Sequence, residues 1–137
     1  MLTESEATHY VADLVAAYPA VREVWLFGSR ANGTAREDSH WDYLVFGDWI
    51  VLDALRSDTR FRREGVDLLV VTNGVRFETP WLNPTGLNWG SLSDDMEGFR
   101  WKQLSPTTAT YTATKSVGAR SWEVEVLPIQ KALRVYP

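Results

Sequence analysis

Apolar positions recur at three- and four-residue spacing through Ala7, Tyr10, Val11, Leu14, Val15 and Tyr18. That is the period of an amphipathic helix, which Thr3 and Glu6 are spaced to open as a capping box and which Pro19 closes. The pattern then tightens. Val21–Phe27, "VREVWLF", is rich in β-branched and aromatic residues and ends at Gly28, which predicts a buried strand. Trp41–Gly47 predicts a second strand. Asp48–Asp58, with Ile50, Leu52 and Leu55 behind an acidic first residue, predicts a short helix. Gly65–Asn73, "GVDLLVVTN", predicts a third strand, apolar enough to be covered on both faces. Helices and strands that alternate in this way imply a layered α/β core.

Beyond Asn73 the pattern loosens. Thr79 to Gly98 is crowded with Pro, Gly, Asn and Ser, the composition of a long ordered loop or a flap. Phe99–Leu104, Thr108–Lys115 and Ser121–Ile129 then alternate with period two, as strands do. The expectation is an α+β fold with a mixed sheet flanked by helices and a β-rich C-terminal extension. Residues 1–73 form its core and residues 74–137 a loop and β extension of the same single domain.

Composition narrows the chemistry. A chain of 137 residues, 45% of them hydrophobic, can bury a core without covalent staples. A net charge of −4 argues against a broad electrostatic grip on nucleic acid, though a local basic patch is compatible with it. With no cysteine there is no thiolate nucleophile, disulfide or Cys-ligated metal, which fits a cytoplasmic protein. The first residues lack a basic start followed by an apolar run, and no apolar stretch approaches the roughly 20 residues that span a bilayer. No membrane association is expected.

The chemistry concentrates between Leu26 and Phe46. Gly28-Ser29 ends a strand, and the residues after it can begin a helix, whose first N–H groups suit a phosphate. By itself a Gly-Ser pair is weak evidence, since it also makes a plain strand-to-helix turn. Asp42 and Asp67 each lie inside an apolar strand, where an acid is expensive to bury unless it is paired or bound to a cation.

The order Gly28, Ser29, Arg30, Ala31, Gly33, Ala35, Asp38, Ser39, His40, Asp42 resembles the signature of the nucleotidyltransferase superfamily with the DNA polymerase β-like core, in particular its small bacterial members, the minimal nucleotidyltransferases. The likeness covers roughly Val21 to Asn73. It implies transfer of a nucleoside monophosphate from a nucleoside triphosphate to an acceptor hydroxyl, with divalent metals, Mg²⁺ or Mn²⁺, held by carboxylates. On this resemblance Gly28, Ser29 and Arg30 would bind the nucleotide, Asp42 and Asp67 the metal, and Asp42, Asp67 and His40 would form the catalytic group. The resemblance also implies a helical protein partner and leaves a nucleic-acid acceptor open.

His40 is the departure: it stands where the family pattern has its first metal-binding aspartate. Imidazole is a poor ligand for Mg²⁺ but an acceptable one for Mn²⁺ and other borderline ions. Three readings follow: an inactive descendant that keeps a nucleotide pocket and one ion, an active variant in which His40 ligates, acts as a base or supplies positive charge, and a surface histidine without a role. The first is favoured, so activity is expected to be weak or lost, because loss of a central ligand weakens a metal site by orders of magnitude. A non-catalytic regulatory or interaction module is the alternative.

Two further features invite a reading. Arg56, Arg60, Arg62 and Arg63 form a basic stretch, more simply a solvated helix end than a phosphate patch. Trp25, Trp41 and Trp49 are expected to be packing residues, and Trp81 and Trp89 are expected to pin the Pro/Gly-rich loop to the core rather than to stack on a base or bind a partner.

Overall fold

The structure, a computed structural model, describes residues 2–82, 88–92, 100–112, 114–116, 118–120 and 124–137. Helix α1, Glu4–Ala17, begins with the expected capping box: the Glu6 N–H donates to Thr3 Oγ1 at 3.1 Å and the Thr3 N–H to Glu6 Oε1 at 3.1 Å. It buries Ala7, Tyr10, Val11 and Leu14. Strand β1 is Glu23–Phe27, the single turn α2 is Ser29–Asn32, and strand β2 is Trp41–Phe46. Helix α3, Trp49–Arg56, and a 3₁₀ turn, Thr59–Phe61, carry the chain across to β3, Val66–Val71. A parallel pair needs such a crossover, and β2 and β3 are parallel.

The remaining strands are β4 (Arg76–Glu78), β5 (Trp89–Ser91), β6 (Lys102–Gln103), β7 (Thr108–Tyr111), β8 (Thr114–Ser116), β9 (Val124–Val126) and β10 (Gln130–Tyr136). Eight of the strands form one mixed sheet in the order β5-β4-β3-β2-β1-β10-β7-β6, and β8 and β9 pair separately. The mixed α+β architecture expected from the pattern is present. The stretch read as a loop contributes β5, though its residues 83–87 and 93–98 lie outside the described residues, as do Phe99 and residues 121–123. β10 was not foreseen, because the third period-two segment was read as ending at Ile129.

Each face of the sheet has its own core. On one face α1, α3 and Phe61 cover Val24, Leu26, Trp41, Tyr43, Val45, Leu68 and Val70. On the other, Trp25, Phe27, Leu44, Leu69, Val71, Phe77, Ala109, Tyr111 and Ala132 pack on one another with Phe46 and Trp101. This second core lies inside the curl of the sheet. The Trp101 N–H, just before β6, donates to the Leu92 carbonyl, just after β5, at 3.4 Å, so the two edges of the sheet meet. Strand twist accumulated over eight strands allows that approach, and joining the edges hides backbone groups that an open sheet would expose.

Trp25 and Trp41 pack in the cores as expected, and the Trp81 indole N–H donates to the Leu55 carbonyl at 2.9 Å, pinning its segment to α3. Trp49 differs. It begins α3 with 56% of its surface exposed, and the Arg56 guanidinium lies 5.1 Å from the centre of its ring. The α3 stripe that faces the sheet is Val51, Leu52 and Leu55, which leaves the first turn's Trp49 and Ile50 outside it.

Candidate active site

Asp42 and Asp67 occupy the second position of their strands, and the parallel register places them directly opposite one another. Their spacing along the strands puts Asp42 on the same face as Leu44 and Asp67 on the same face as Leu69, both residues of the second core. The two carboxylates therefore converge at the rim of the curled half of the sheet. Burial pushes Asp42 up to about 8, and the hydrogen bond to Asp67 and the charge of Asp67 add to the rise. Two acids this close cannot both ionise cheaply, so a proton on Asp42 is favoured.

The Gly28 bend lies against this pair. Gly28 has φ +72°, and a Cβ built there would stand 2.1 Å from Asp42 Oδ2, so only glycine leaves room for the carboxylate. The Gly28 N–H donates to the Tyr111 hydroxyl at 2.8 Å. Asn32 donates to the Gly28 carbonyl at 2.8 Å and to the Lys131 carbonyl at 3.1 Å, and accepts from the Lys131 N–H at 2.9 Å, tying α2 to β10. The helix that begins at Ser29 is only four residues long, so it supplies one turn of donors and little of a long helix's dipole.

Arg30 faces away from the carboxylates. Its guanidinium lies 4.7 Å from the Trp41 ring centre and donates to the Ser39 carbonyl at 2.9 Å and the Glu37 carbonyl at 3.3 Å. It thus shapes the loop that delivers His40. His40 Nδ1 is 3.0 Å from Asp67 Oδ2, with half of its side chain exposed. The structure brings Asp42, Asp67 and His40 together, sets Gly28 against Asp42, and places the Arg30 head on the loop.

A cavity of about 550 Å³ opens beside the pair. Phe27, His40, Asp42, Asp67, Arg62, Thr79, Trp81 and Leu82 are among its lining residues, whereas Gly28, Ser29 and Arg30 are not. The residues that sequence reasoning missed are Tyr111, Asn32, Thr79 and Leu82; Arg62 and Trp81 were noticed but not placed beside the two acids. Tyr111 belongs to the alternating "TATY" strand, and nothing local in that pattern marks it as a neighbour of Gly28.

Among the described residues no group of three or more His, Cys, Asp or Glu side chains is placed to hold a metal ion. Asp42 and Asp67 converge, but the third position is an imidazole turned to Asp67, so the carboxylate set the resemblance expects for two cations is not complete. Among the described residues no helix is long and apolar enough to cross a membrane.

A solved structure from Sulfolobus solfataricus, provisionally described as a nucleotidyltransferase, is 33% identical to this chain, with a TM-score of 0.42. The likeness covers 50% of this chain and 65% of that one. No curated protein matches. The family model described as "nucleotidyltransferase domain" matches residues 10–132. Because that match runs from α1 through the bend and both acid-bearing strands into β10, the chain belongs to the nucleotidyltransferase domain family.

Proposed function

We propose that this protein binds a nucleoside triphosphate with a single divalent cation held by Asp42 and Asp67, and that its nucleotidyl transfer is weak or lost. The observation that carries the reading is the contact between His40 Nδ1 and Asp67 Oδ2 at 3.0 Å. It puts an imidazole where the resemblance expects a carboxylate and turns it onto one of the two acids left to hold the ion. In the family reaction the acceptor oxygen bonds to the α-phosphorus, the bond to pyrophosphate breaks, and the acceptor gives up its proton. The cation, when bound, neutralises charge on the phosphates. Asp42 and Asp67 would hold it, Ser29 and the Gly28 bend would meet the phosphates, and Arg30 would act by setting the His40 loop.

One ion and an imidazole supply less charge than the family's carboxylate set, which is why transfer should suffer before binding does. The lack of cysteine supports a cytoplasmic setting. A second reading, a platform for a protein partner, is favoured by the exposure of Trp49 and Ile50 on α3.

Calorimetric titration of ATP with Mg²⁺ and with Mn²⁺ into wild type, Asp42→Ala and His40→Asp separates these. Saturable binding is expected in wild type, tighter with Mn²⁺, and weaker by about tenfold or more in Asp42→Ala. His40→Asp should gain transfer, read as pyrophosphate release. Absence of nucleotide binding by wild type with either ion would discard the site and leave the platform.

A further inference from the structure

Three of the four arginines between Arg56 and Arg63 are neutralised by carboxylates. Arg56 pairs with Glu78 at 3.0 Å, Arg60 with Asp58 at 2.7 Å, and Arg63 with Glu6 at 2.8 Å. Arg62 has no carboxylate partner among the described residues, and it lines the same cavity as Asp42 and Asp67. Its place follows from local geometry, since it caps the 3₁₀ turn in an extended conformation (φ −80°, ψ 93°) that turns the chain from Phe61 toward β3.

Part of the cavity's lining is apolar and anchored. Trp81 packs against the first core and its indole N–H is held by the Leu55 carbonyl at 2.9 Å, while its own carbonyl accepts from the Thr79 hydroxyl at 2.9 Å. Leu82 and Val66 extend that part of the lining. The cavity's volume, about 550 Å³, is that of a small-molecule pocket.

The cavity is lined by Asp42 and Asp67 and does not include Gly28 or Ser29, where the function proposed above would seat the phosphates. We propose that it is the acceptor's subsite, and that the acceptor is a small hydroxyl compound with an apolar or aromatic body and an anionic group that pairs with Arg62. The naming of this ligand as acceptor rests on the function proposed above; the binding does not. Asp42, Asp67 and Glu64 all face the cavity, and an anion entering it needs a cation that no carboxylate has already claimed. Arg62 meets that need. Arg63, on the same lining, is committed to Glu6.

Phenyl phosphate, with phenol as its uncharged counterpart, is the probe. Each is titrated without nucleotide or metal and followed at the Trp81 indole N–H by NMR. Phenyl phosphate should produce a saturable shift in wild type and bind more tightly than phenol. Arg62→Gln should weaken it by about tenfold or more, while Arg60→Gln, which removes the same formal charge from a paired residue nearby, should leave it unchanged. No saturable shift in wild type, or equal weakening by both substitutions, overturns the proposal. If ATP binding fails while phenyl phosphate still binds through Arg62, the nucleotide reading falls and the anion subsite stands.

Discussion

Burial and a second carboxylate act on the same proton at Asp42, and the direction of that effect sets a pH dependence. The side chain's value is raised from 3.8 to about 8 in the folded protein. A carboxyl whose folded value exceeds its unfolded one stabilises the fold while protonated, fully below the unfolded value, and this stabilisation is lost as pH rises through the folded value. Wild-type protein without metal should therefore lose stability between about pH 4 and about pH 8, on the order of 2 kcal/mol once solvent access to the site is allowed for. Asp42→Asn should flatten that slope, and Mn²⁺ should oppose it in wild type by taking the proton's place. Urea midpoints across the pH range measure all three; an unchanged slope in Asp42→Asn would remove the account of a proton favoured on Asp42. The residues that make the candidate site were readable because each is marked locally, an acid in an apolar strand or a glycine at a strand end. Their ionisation was not readable, since it depends on what covers them.

Among the elements, α2 shows how a weak local signal gains a fixed position. A four-residue helix does not hold itself, because nucleation fixes several dihedrals for one hydrogen bond. Here Asn32 fastens it to β10 through both the N–H and the carbonyl of Lys131. Asn32→Ala removes those bonds together with the one to the Gly28 carbonyl. It should destabilise the protein by about 1–2 kcal/mol in urea unfolding. It should also weaken the nucleotide binding proposed above, because the Gly28 bend loses its brace. Equal loss of stability in Asn32→Ala and in an exposed control such as Lys102→Ala would show that the brace is unimportant. By contrast α1, β1, β2 and β3 were legible from the pattern, since a capping box and a run of β-branched and aromatic residues state themselves within a few positions. Trp49 was not, because its side of α3 is decided by the angle at which that helix meets the sheet.

Across the whole molecule the sheet's order puts the end of the chain near its middle. β10 lies between β1 and β7, and the curl that joins Leu92 to Trp101 closes the second core around Trp25 and Phe77. A chain ending at Ile129 would leave β1 without a neighbour on one side and uncover Trp25, which is 1% exposed in the intact fold. Such a chain should lack a cooperative thermal transition and bind a hydrophobic dye, whereas the full chain should unfold in one step by both circular dichroism and tryptophan fluorescence. Native-like melting of the shortened chain would show residues 1–129 to be sufficient.

Periodicity and motif order along the chain were enough to indicate an α+β fold, three of its strands, both longer helices and the two acids of the site, because those signals come from residues close together in sequence. The partners of those residues were not legible. Tyr111 reaches Gly28 across 83 positions, and Lys131 reaches Asn32 across 99. Contacts at that range arise when whole strands compete for places in the sheet, and the outcome depends on register, twist and the entropy of closing long loops rather than on any short pattern. That competition seated Tyr111 at the bend and closed the curl around a second core.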